Sequence, residues 1–272
     1  MKSDGPIVIF GGGSLGSAIA RGFVLGGVPR NSIHIIQRND IRREKLRQEG
    51  FDVWSALPER MDASLVLIVV KPKDVATACS QITLHISGNP IIVSAVAGVS
   101  GEQLIELLGP DHLLFRAKFS ILAEAGSLPI PVICCNEAAN EKFPLLAQLI
   151  RPLGNLTRMP EADMDLSGWD LSSLPCIILG GMMRERLANV PSGDRSVVGK
   201  MLLAGLQREI DWLTAHSAQD DSLIDAIDEL CCRIATPGGI NDATIDYLES
   251  LAFWKISSKA RDFYRRRLEA TE

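Results

Sequence analysis

Three glycines at positions 11, 13 and 16 constrain this chain more than any other feature. They follow a hydrophobic run, Ile7–Phe10, that predicts a strand, and they open an apolar-periodic stretch that predicts a helix. In this spacing the first glycine makes a tight turn, the second lets a pyrophosphate approach the backbone, and the third packs helix against strand. We therefore predict a dinucleotide site at the helix N-terminus rather than a plain strand-to-helix turn. Its expected cofactor contacts are Gly11, Gly13, Ser14, Leu15 and Gly16.

The end of the second predicted strand indicates which dinucleotide is preferred. An NAD site usually has a carboxylate there for the ribose 2′-hydroxyl, whereas an NADP site has a cation or a small polar group. Here Ile33–Ile36 is followed by a glutamine and an arginine, with Arg42 and Arg43 close behind. Because arginine grips a phosphate in bidentate fashion, NADP(H) is favoured and NAD(H) is the alternative. The expected contacts are Gln37, Arg38 and Asn39, and Asp40 is expected to cap the next helix.

Short hydrophobic runs alternate with helical patterns through the first half of the chain. The predicted strands are Ile7–Phe10, Ile33–Ile36, Leu65–Val70, Ile91–Ser94, Leu113–Arg116, Val132–Cys135 and Leu156–Met159. The predicted crossover helices are Ser17–Leu25, Arg42–Gln48, Val75–Ile82 and Glu102–Leu108. The strands are rich in Ile and Val, as expected when both faces of a sheet are covered. We therefore predict an α/β fold with a mostly parallel sheet, a Rossmann-type dinucleotide-binding domain at residues 1–160.

After residue 160 the pattern changes to helices without a convincing strand. They are predicted at Trp169–Asn189, Arg195–His216, Ser222–Ile234, Asp242–Leu251 and Trp254–Leu268. Residues 161–272 are therefore expected to form an all-helical C-terminal domain.

Composition narrows the range of partners. The net charge of −5 is spread without long runs of one sign, so neither nucleic acid nor a membrane surface is expected. No apolar stretch approaches the ~20 residues of a membrane span, and the first strand begins too early for a secretory signal. The six cysteines lack Cys-x-x-Cys spacing, so we expect buried, reduced thiols in a cytoplasmic protein without a metal site.

Further motifs resemble those of the pyrroline-5-carboxylate reductase family. Val69-Val70-Lys71-Pro72 is similar to the family's VKPQ, Ile92–Val99 to its ISIAAGV, and Ala235–Gly239 to its TSPGGTT. With the glycine loop and the arginine after the second strand, they keep the family's order and approximate spacing over nearly the full length. The resemblance implies additional cofactor contacts at Val70, Lys71, Pro72 and Ala95.

The resemblance also implies a reaction and an assembly. Such a reductase transfers a hydride from NADPH to the C=N carbon of a small cyclic imino acid, the last step of proline synthesis. Its helical domain forms dimers, so a homodimer or a larger homo-oligomer is expected. Pro237-Gly238-Gly239 leads into a predicted helix, where backbone N–H groups would bind the substrate carboxylate, although a simple interhelical turn is the alternative. The expected substrate contacts are Thr236, Gly238, Gly239 and Asn241.

Three departures from the family pattern fall on the substrate side. The family's RVMPNTPA corresponds to Arg116–Ala123 and loses its Pro and Asn, and SGSGPAY corresponds to Leu171–Ile177 and loses both glycines. The second Thr of PGGTT is Asn241, whose amide donates a hydrogen bond but is not a practical general acid. This pattern suggests that NADP(H) binding is kept while the imine pocket is altered.

Lys118 replaces a Met of the family at a strand end expected near the nicotinamide. Its cation would anchor a substrate carboxylate or donate the imine proton, unless it is a surface lysine that points away. The expected catalytic residues are Lys118, Ser173 and Asn241. Two other functions stay open, a reductase of a different imine or keto acid and a non-catalytic NADP-binding dimer.

Overall fold

A computed structural model describes five main stretches of the chain. They are residues 5–57, 60–125, 128–164, 174–216 and 255–269, with 227, 229–230, 243, 247–248 and 250–251 besides. The described residues divide into two compact units, one drawn from Met1–Ser173 and Arg265–Glu272 and the other from Leu174–Tyr264. The domain boundary after residue 160 stays a prediction. None of the helices within these stretches is both long enough and apolar enough to cross a membrane.

The first unit is built on a mostly parallel sheet. Its strands are β1 (Ile7–Phe10), β2 (Ile33–Ile36), β3 (Asp52–Trp54), β5 (Leu65–Ile68), β7 (Ile91–Ser94), β8 (Leu113–Ala117), β9 (Leu128–Cys134) and β10 (Gly154–Arg158). They lie in the order β10-β9-β8-β7-β5-β1-β2-β3, and the short strands β4 (Met61–Asp62) and β6 (Ile86–Ser87) pair separately. Within the larger sheet β8 and β9 are antiparallel, and all other neighbouring pairs are parallel.

Helices connect these strands and make up the described part of the second unit. In the first unit they are α1 (Ser14–Leu25), α2 (Asp40–Gln48), α3 (Val75–His85), α4 (Gly101–Leu108), α5 (Glu137–Glu141) and α6 (Phe143–Ile150). The later helices are α7 (Leu174–Ala188), α8 (Arg195–His216) and α9 (Ile256–Glu269). Short 3-10 turns lie at Arg30–Ser32, Pro72–Asp74, Ala123–Ala125 and Glu161–Asp163.

Both faces of the sheet are buried, as the Ile- and Val-rich runs predict. Ile7 and Ile9 belong to one hydrophobic cluster, whereas Val8 and Phe10 belong to the cluster on the opposite face. This alternation follows from the period of two in a strand, which sends successive side chains to opposite faces. The predicted α/β class with a helical C-terminal region is confirmed.

The differences from prediction have physical causes. The strand β3 was not predicted because its three residues, with Val53 alone apolar and buried, are too few for a periodic pattern to be recognised. The strand β9 begins at Leu128, whereas the predicted strand began at Val132. The prediction started too late because Pro129 and Pro131 are unfavourable signals for a strand. The predicted helices Ser222–Ile234 and Asp242–Leu251 lie mostly outside the described residues.

Candidate functional site

A cleft of about 570 Å³ opens at the carboxyl ends of β1, β2, β5 and β7. The strand β1 lies between β2 and β5, and this reversal of strand order is where doubly wound sheets bind their ligands. Ten predicted cofactor contacts line the cleft: Gly11, Gly13, Ser14, Leu15, Gln37, Arg38, Val70, Lys71, Pro72 and Ala95. The structure thus brings together residues from the four segments that follow β1, β2, β5 and β7.

Two glycines of the loop are required by the fold itself. Gly11 has a φ of +110°, and a Cβ there would lie 2.3 Å from the Val69 carbonyl oxygen. A Cβ at Gly16 would lie 1.8 Å from the Gly11 carbonyl oxygen, so only glycine fits. Gly16 does not line the cleft; it acts by letting α1 pack against the loop.

Gly13 differs, because nothing in the described part of the protein requires a glycine there. A Cβ at this position would meet only Arg42 Nη1, at 3.7 Å, and its φ of −77° is open to any residue. Gly13 is the N-cap of α1 without a side-chain cap, so no side chain satisfies the N–H groups of the first turn. The space that a side chain would occupy belongs to the cleft, which suits close approach of a pyrophosphate to the backbone.

The end of β2 carries cations and no carboxylate. Arg38 and Arg42 both line the cleft beside Gln37. Arg43 does not: its Nη1 donates to the carbonyl oxygens of Gln37 and Arg38, at 3.1 and 2.9 Å. Arg43 therefore supports this turn from outside the cleft, and Arg38 and Arg42 are the arginines that a phosphate bound at the end of β2 would meet.

Arg38 also reaches across the cleft to a residue that the sequence analysis did not single out. Its Nη2 lies 2.5 Å from the Asp74 carboxylate, in the turn Pro72–Asp74 that forms the opposite rim. Asp74 itself lines the cleft. Its only sequence signal is its position two residues after Pro72, just beyond the VKPQ-like segment.

The prediction for the α2 N-terminus was wrong about the cap. Asn39, not Asp40, is the N-cap, and its Oδ1 accepts a hydrogen bond from the Arg42 N–H at 3.0 Å. The Asn39 N–H in turn donates to Gln37 Oε1 at 3.1 Å, which holds Asn39 outside the helix and makes Asp40 the first helical residue. Asn39 is not among the residues that line the cleft, so its expected contact with the cofactor stays a prediction.

Lys118 directly follows β8 and is half-buried. Its Nζ donates to the Val96 carbonyl oxygen at 3.3 Å, and Val96 lines the cleft next to Ala95. The side chain therefore points toward the cleft wall, not away from it. The other expected catalytic and substrate contacts lie outside the described residues: Ser173, Thr236, Gly238, Gly239 and Asn241.

Ion pairs anchor the segment that contains Lys118. Arg116 is buried at the end of β8, and its guanidinium pairs with Glu161, which also accepts a hydrogen bond from the Gly101 N–H at 3.2 Å. Beyond Lys118, Glu124 pairs with Arg21 of α1 at 2.9 Å. Arg21 also binds both oxygens of Glu49, at 2.8 and 2.9 Å, and this hydrogen bonding holds the pKa of the Glu49 carboxyl below its ordinary value.

Cys79, Cys134 and Cys135 are free thiols. Cys79 is buried, but Cys134 and Cys135 are only half-buried, so the expectation of buried thiols was wrong for these two. Burial raises the pKa of Cys79 to about 11 and that of Cys135 to about 12, which keeps both thiols neutral at pH 7. No cluster of three or more His, Cys, Asp and Glu side chains suited to a metal ion is found among the residues described.

This sheet, with a glycine loop and a cleft at its point of reversal, defines a Rossmann-type dinucleotide-binding domain. Residues 6–98 match the family model described as "NADP oxidoreductase coenzyme F420-dependent". A pyrroline-5-carboxylate reductase of Arabidopsis thaliana is 28% identical over 57% of this chain, and the match spans only 57% of that protein's length. The Aquifex aeolicus pyrroline-5-carboxylate reductase is 24% identical, over 90% of this chain and 89% of that protein.

Solved structures show the same fold. The crystal structure of Plasmodium falciparum pyrroline carboxylate reductase with NADP bound superposes with a TM-score of 0.79, at 15% identity over 98% of each chain. Together with the sequence matches, this confirms the resemblance to the pyrroline-5-carboxylate reductase family.

Proposed function

We propose that this protein is an NADP(H)-dependent reductase of the C=N bond of a small cyclic imino acid, of the pyrroline-5-carboxylate type. The observation that carries the proposal is Gly13, a glycine that faces the cleft and that the fold itself does not require. The relatives named above as pyrroline-5-carboxylate reductases support the reaction class. The solved relative that holds NADP supports the choice of cofactor.

The residues of the cleft fit NADP(H). Backbone N–H groups at Gly13, Ser14 and Leu15 would hold the pyrophosphate, and Arg38 and Arg42 would hold the 2′-phosphate. Val70, Lys71, Pro72 and Ala95 would form the walls toward the nicotinamide. When bound, the cofactor supplies the hydride, and the protein's contribution is to position it and exclude water.

Lys118 is proposed to orient the substrate. Its ammonium lies beside Val96 on the cleft wall, where it would pair with the carboxylate of an imino acid. A cyclic imine that arrives protonated needs no strong acid from the protein, so positioning and charge would carry much of the rate. We propose that Ser173 and Asn241 take part in catalysis and that Thr236, Gly238, Gly239 and Asn241 bind the substrate, as the family resemblance implies.

The helical unit is proposed to form a homodimer, with a larger homo-oligomer as an extension of the same plan. Its described helices α7 and α8 leave large apolar side chains exposed: Ile177, Met182, Val197, Met201, Leu203 and Ile210. A second copy of the chain would remove this surface from water. A cytoplasmic location stays a prediction from the sequence.

The test is NADPH oxidation followed with pyrroline-5-carboxylate, pyrroline-2-carboxylate, their six-membered analogues and a set of keto acids, alongside calorimetry of NADPH binding. Turnover of pyrroline-5-carboxylate is the expected result. Turnover of only another imine or a keto acid would reassign the substrate. Tight NADPH binding without any oxidation would overturn the reductase in favour of a non-catalytic dimer, and no binding would overturn both.

A further inference from the structure

Asp74 occupies the N-cap position of α3 but does not cap the helix. An Asp at this position usually accepts a hydrogen bond from an N–H of the first turn. Here the side chain makes no such bond, and its carboxylate lies against Arg38 instead. The Asp74 carboxylate thus pairs with Arg38 on the opposite rim of the cleft and not with an N–H group of its own helix.

Folding stability does not account for this ion pair. The Arg38 side chain is 64% exposed and the Asp74 side chain 21%, and an ion pair that solvent reaches on one side contributes little to the free energy of unfolding. Both members line the cleft at the end of β2, where the ribose of a dinucleotide is expected. The position of the pair therefore indicates a role in cofactor binding.

We propose that Asp74 is a specificity-determining residue that competes with the 2′-phosphate of NADP(H) for Arg38. This inference rests on the proposed function. A phosphate that binds Arg38 must either displace the carboxylate or share the guanidinium with it, and both arrangements leave like charges close together. NAD(H) lacks this phosphate and meets no such competition, so Asp74 reduces the preference for NADP(H) over NAD(H).

Arg42 explains why the phosphate site persists despite this competition. Its guanidinium makes no ion pair with the residues that the structure describes, and it lines the cleft near Gly13. One arginine is therefore held by an internal anion while a second is available to the ligand. The arrangement favours moderate affinity and ready release of the oxidised cofactor over the tightest binding.

Calorimetry with 2′,5′-ADP and 5′-ADP tests the proposal, because these ligands differ in the 2′-phosphate. Asp74→Asn is expected to tighten 2′,5′-ADP about three- to tenfold and to change 5′-ADP less than about twofold. Asp74→Ser, which keeps a good N-cap residue, is expected to act in the same direction. The matched control is Asp111→Asn, since Asp111 is exposed just before β8, at the opposite end of the strands from the cleft, and it should change neither affinity.

The outcomes separate this proposal from the proposed function. In an Arg38→Gln background the gain from Asp74→Asn should fall below about twofold, because the competition runs through Arg38. If Asp74→Asn leaves 2′,5′-ADP unchanged or weakens it, Asp74 positions Arg38 instead of competing for it, and the proposal fails while the cofactor site stands. If the natural protein binds neither NADPH nor 2′,5′-ADP, the proposal and the proposed function fail together.

Discussion

The glycine loop lines the cleft, whereas the segment Arg116–Ala123 meets the cleft wall through Lys118, and the two match the pyrroline-5-carboxylate reductase pattern to different degrees. The loop keeps the family's pattern, and the segment loses its Pro and Asn. The loop works through backbone N–H groups and close approach, which only glycine at set positions allows. In the segment, the proposed role of Lys118 depends on the charge of its side chain and not on a backbone conformation that only glycine allows.

The two regions are nevertheless tied together. Arg21, one turn beyond the loop in α1, pairs with Glu124 directly after the segment. A Cβ at Gly22 would lie 2.6 Å from the Ala123 carbonyl oxygen, so helix and segment also pack closely. The comparison teaches that the backbone-dependent pattern of the glycine loop is kept, whereas the side chains of the neighbouring segment differ from the family pattern.

The largest effect is expected from Gly16→Ala, which would break the loop itself. The added Cβ would overlap the Gly11 carbonyl oxygen, and neither backbone has room to move. We expect the free energy of unfolding to fall by about 3 kcal/mol or more, measured by urea denaturation. Gly13→Ala is the matched control and should change it by less than about 1 kcal/mol. Equal stabilities for the two variants would contradict the distinction between them.

Gly13→Asp tests the ligand-facing role of the same loop. The carboxylate would occupy the space of the pyrophosphate and repel it, so NADPH affinity should fall about 100-fold or more. The melting temperature should stay within about 5 °C of the natural protein's, because the side chain enters the cleft and not the core. Calorimetry and thermal unfolding measure the two quantities. Normal affinity in this variant would disprove the phosphate site.

Lys118→Met tests the substrate end, since it restores the residue of the family pattern. If Lys118 binds the substrate carboxylate, kcat/KM should fall about tenfold, mainly through a higher KM. NADPH affinity should change less than about twofold, because the ammonium lies away from the phosphates. Lys73→Met is the control, as Lys73 is exposed and does not line the cleft. An unchanged KM for Lys118→Met would exclude this role.

The smallest effect concerns the ion pairs of Arg21. Because the pKa of Glu49 is lower when folded than its ordinary value of 4.5, the pair stabilises the protein above that pH, and the contribution is lost as pH falls through the folded pKa. Glu49→Gln should therefore lower the free energy of unfolding at pH 7 by about 1 kcal/mol or less, since both side chains are partly exposed. Near pH 3 the difference should shrink.

Denaturation at both pH values measures this loss. Glu106→Gln, at an exposed position, provides the control and should show no comparable change at either pH. A loss in Glu49→Gln that is as large at pH 3 as at pH 7 would show that packing, not charge, accounts for it.

Local patterns in the sequence predicted the scaffold well and the site unevenly. The strands Ile7–Phe10, Ile33–Ile36 and Ile91–Ser94 were predicted with the bounds observed, since buried β-branched runs carry their own signal. The short β3 and the proline-containing start of β9 lacked that signal. Lys118 was singled out only because it departs from the family pattern, and Asp74 was not singled out at all.

The sequence by itself determined the glycine turn, the alternation of strand and helix, and the cations after β2, because each depends on residues close together along the chain. Only the tertiary structure decided that Arg38 meets Asp74, that Arg43 faces away from the cleft, and that Lys118 points toward Val96. These choices depend on side chains from separate connections that meet where parallel strands end. No local sequence pattern specifies these contacts between distant residues, so they form only once the sheet has folded.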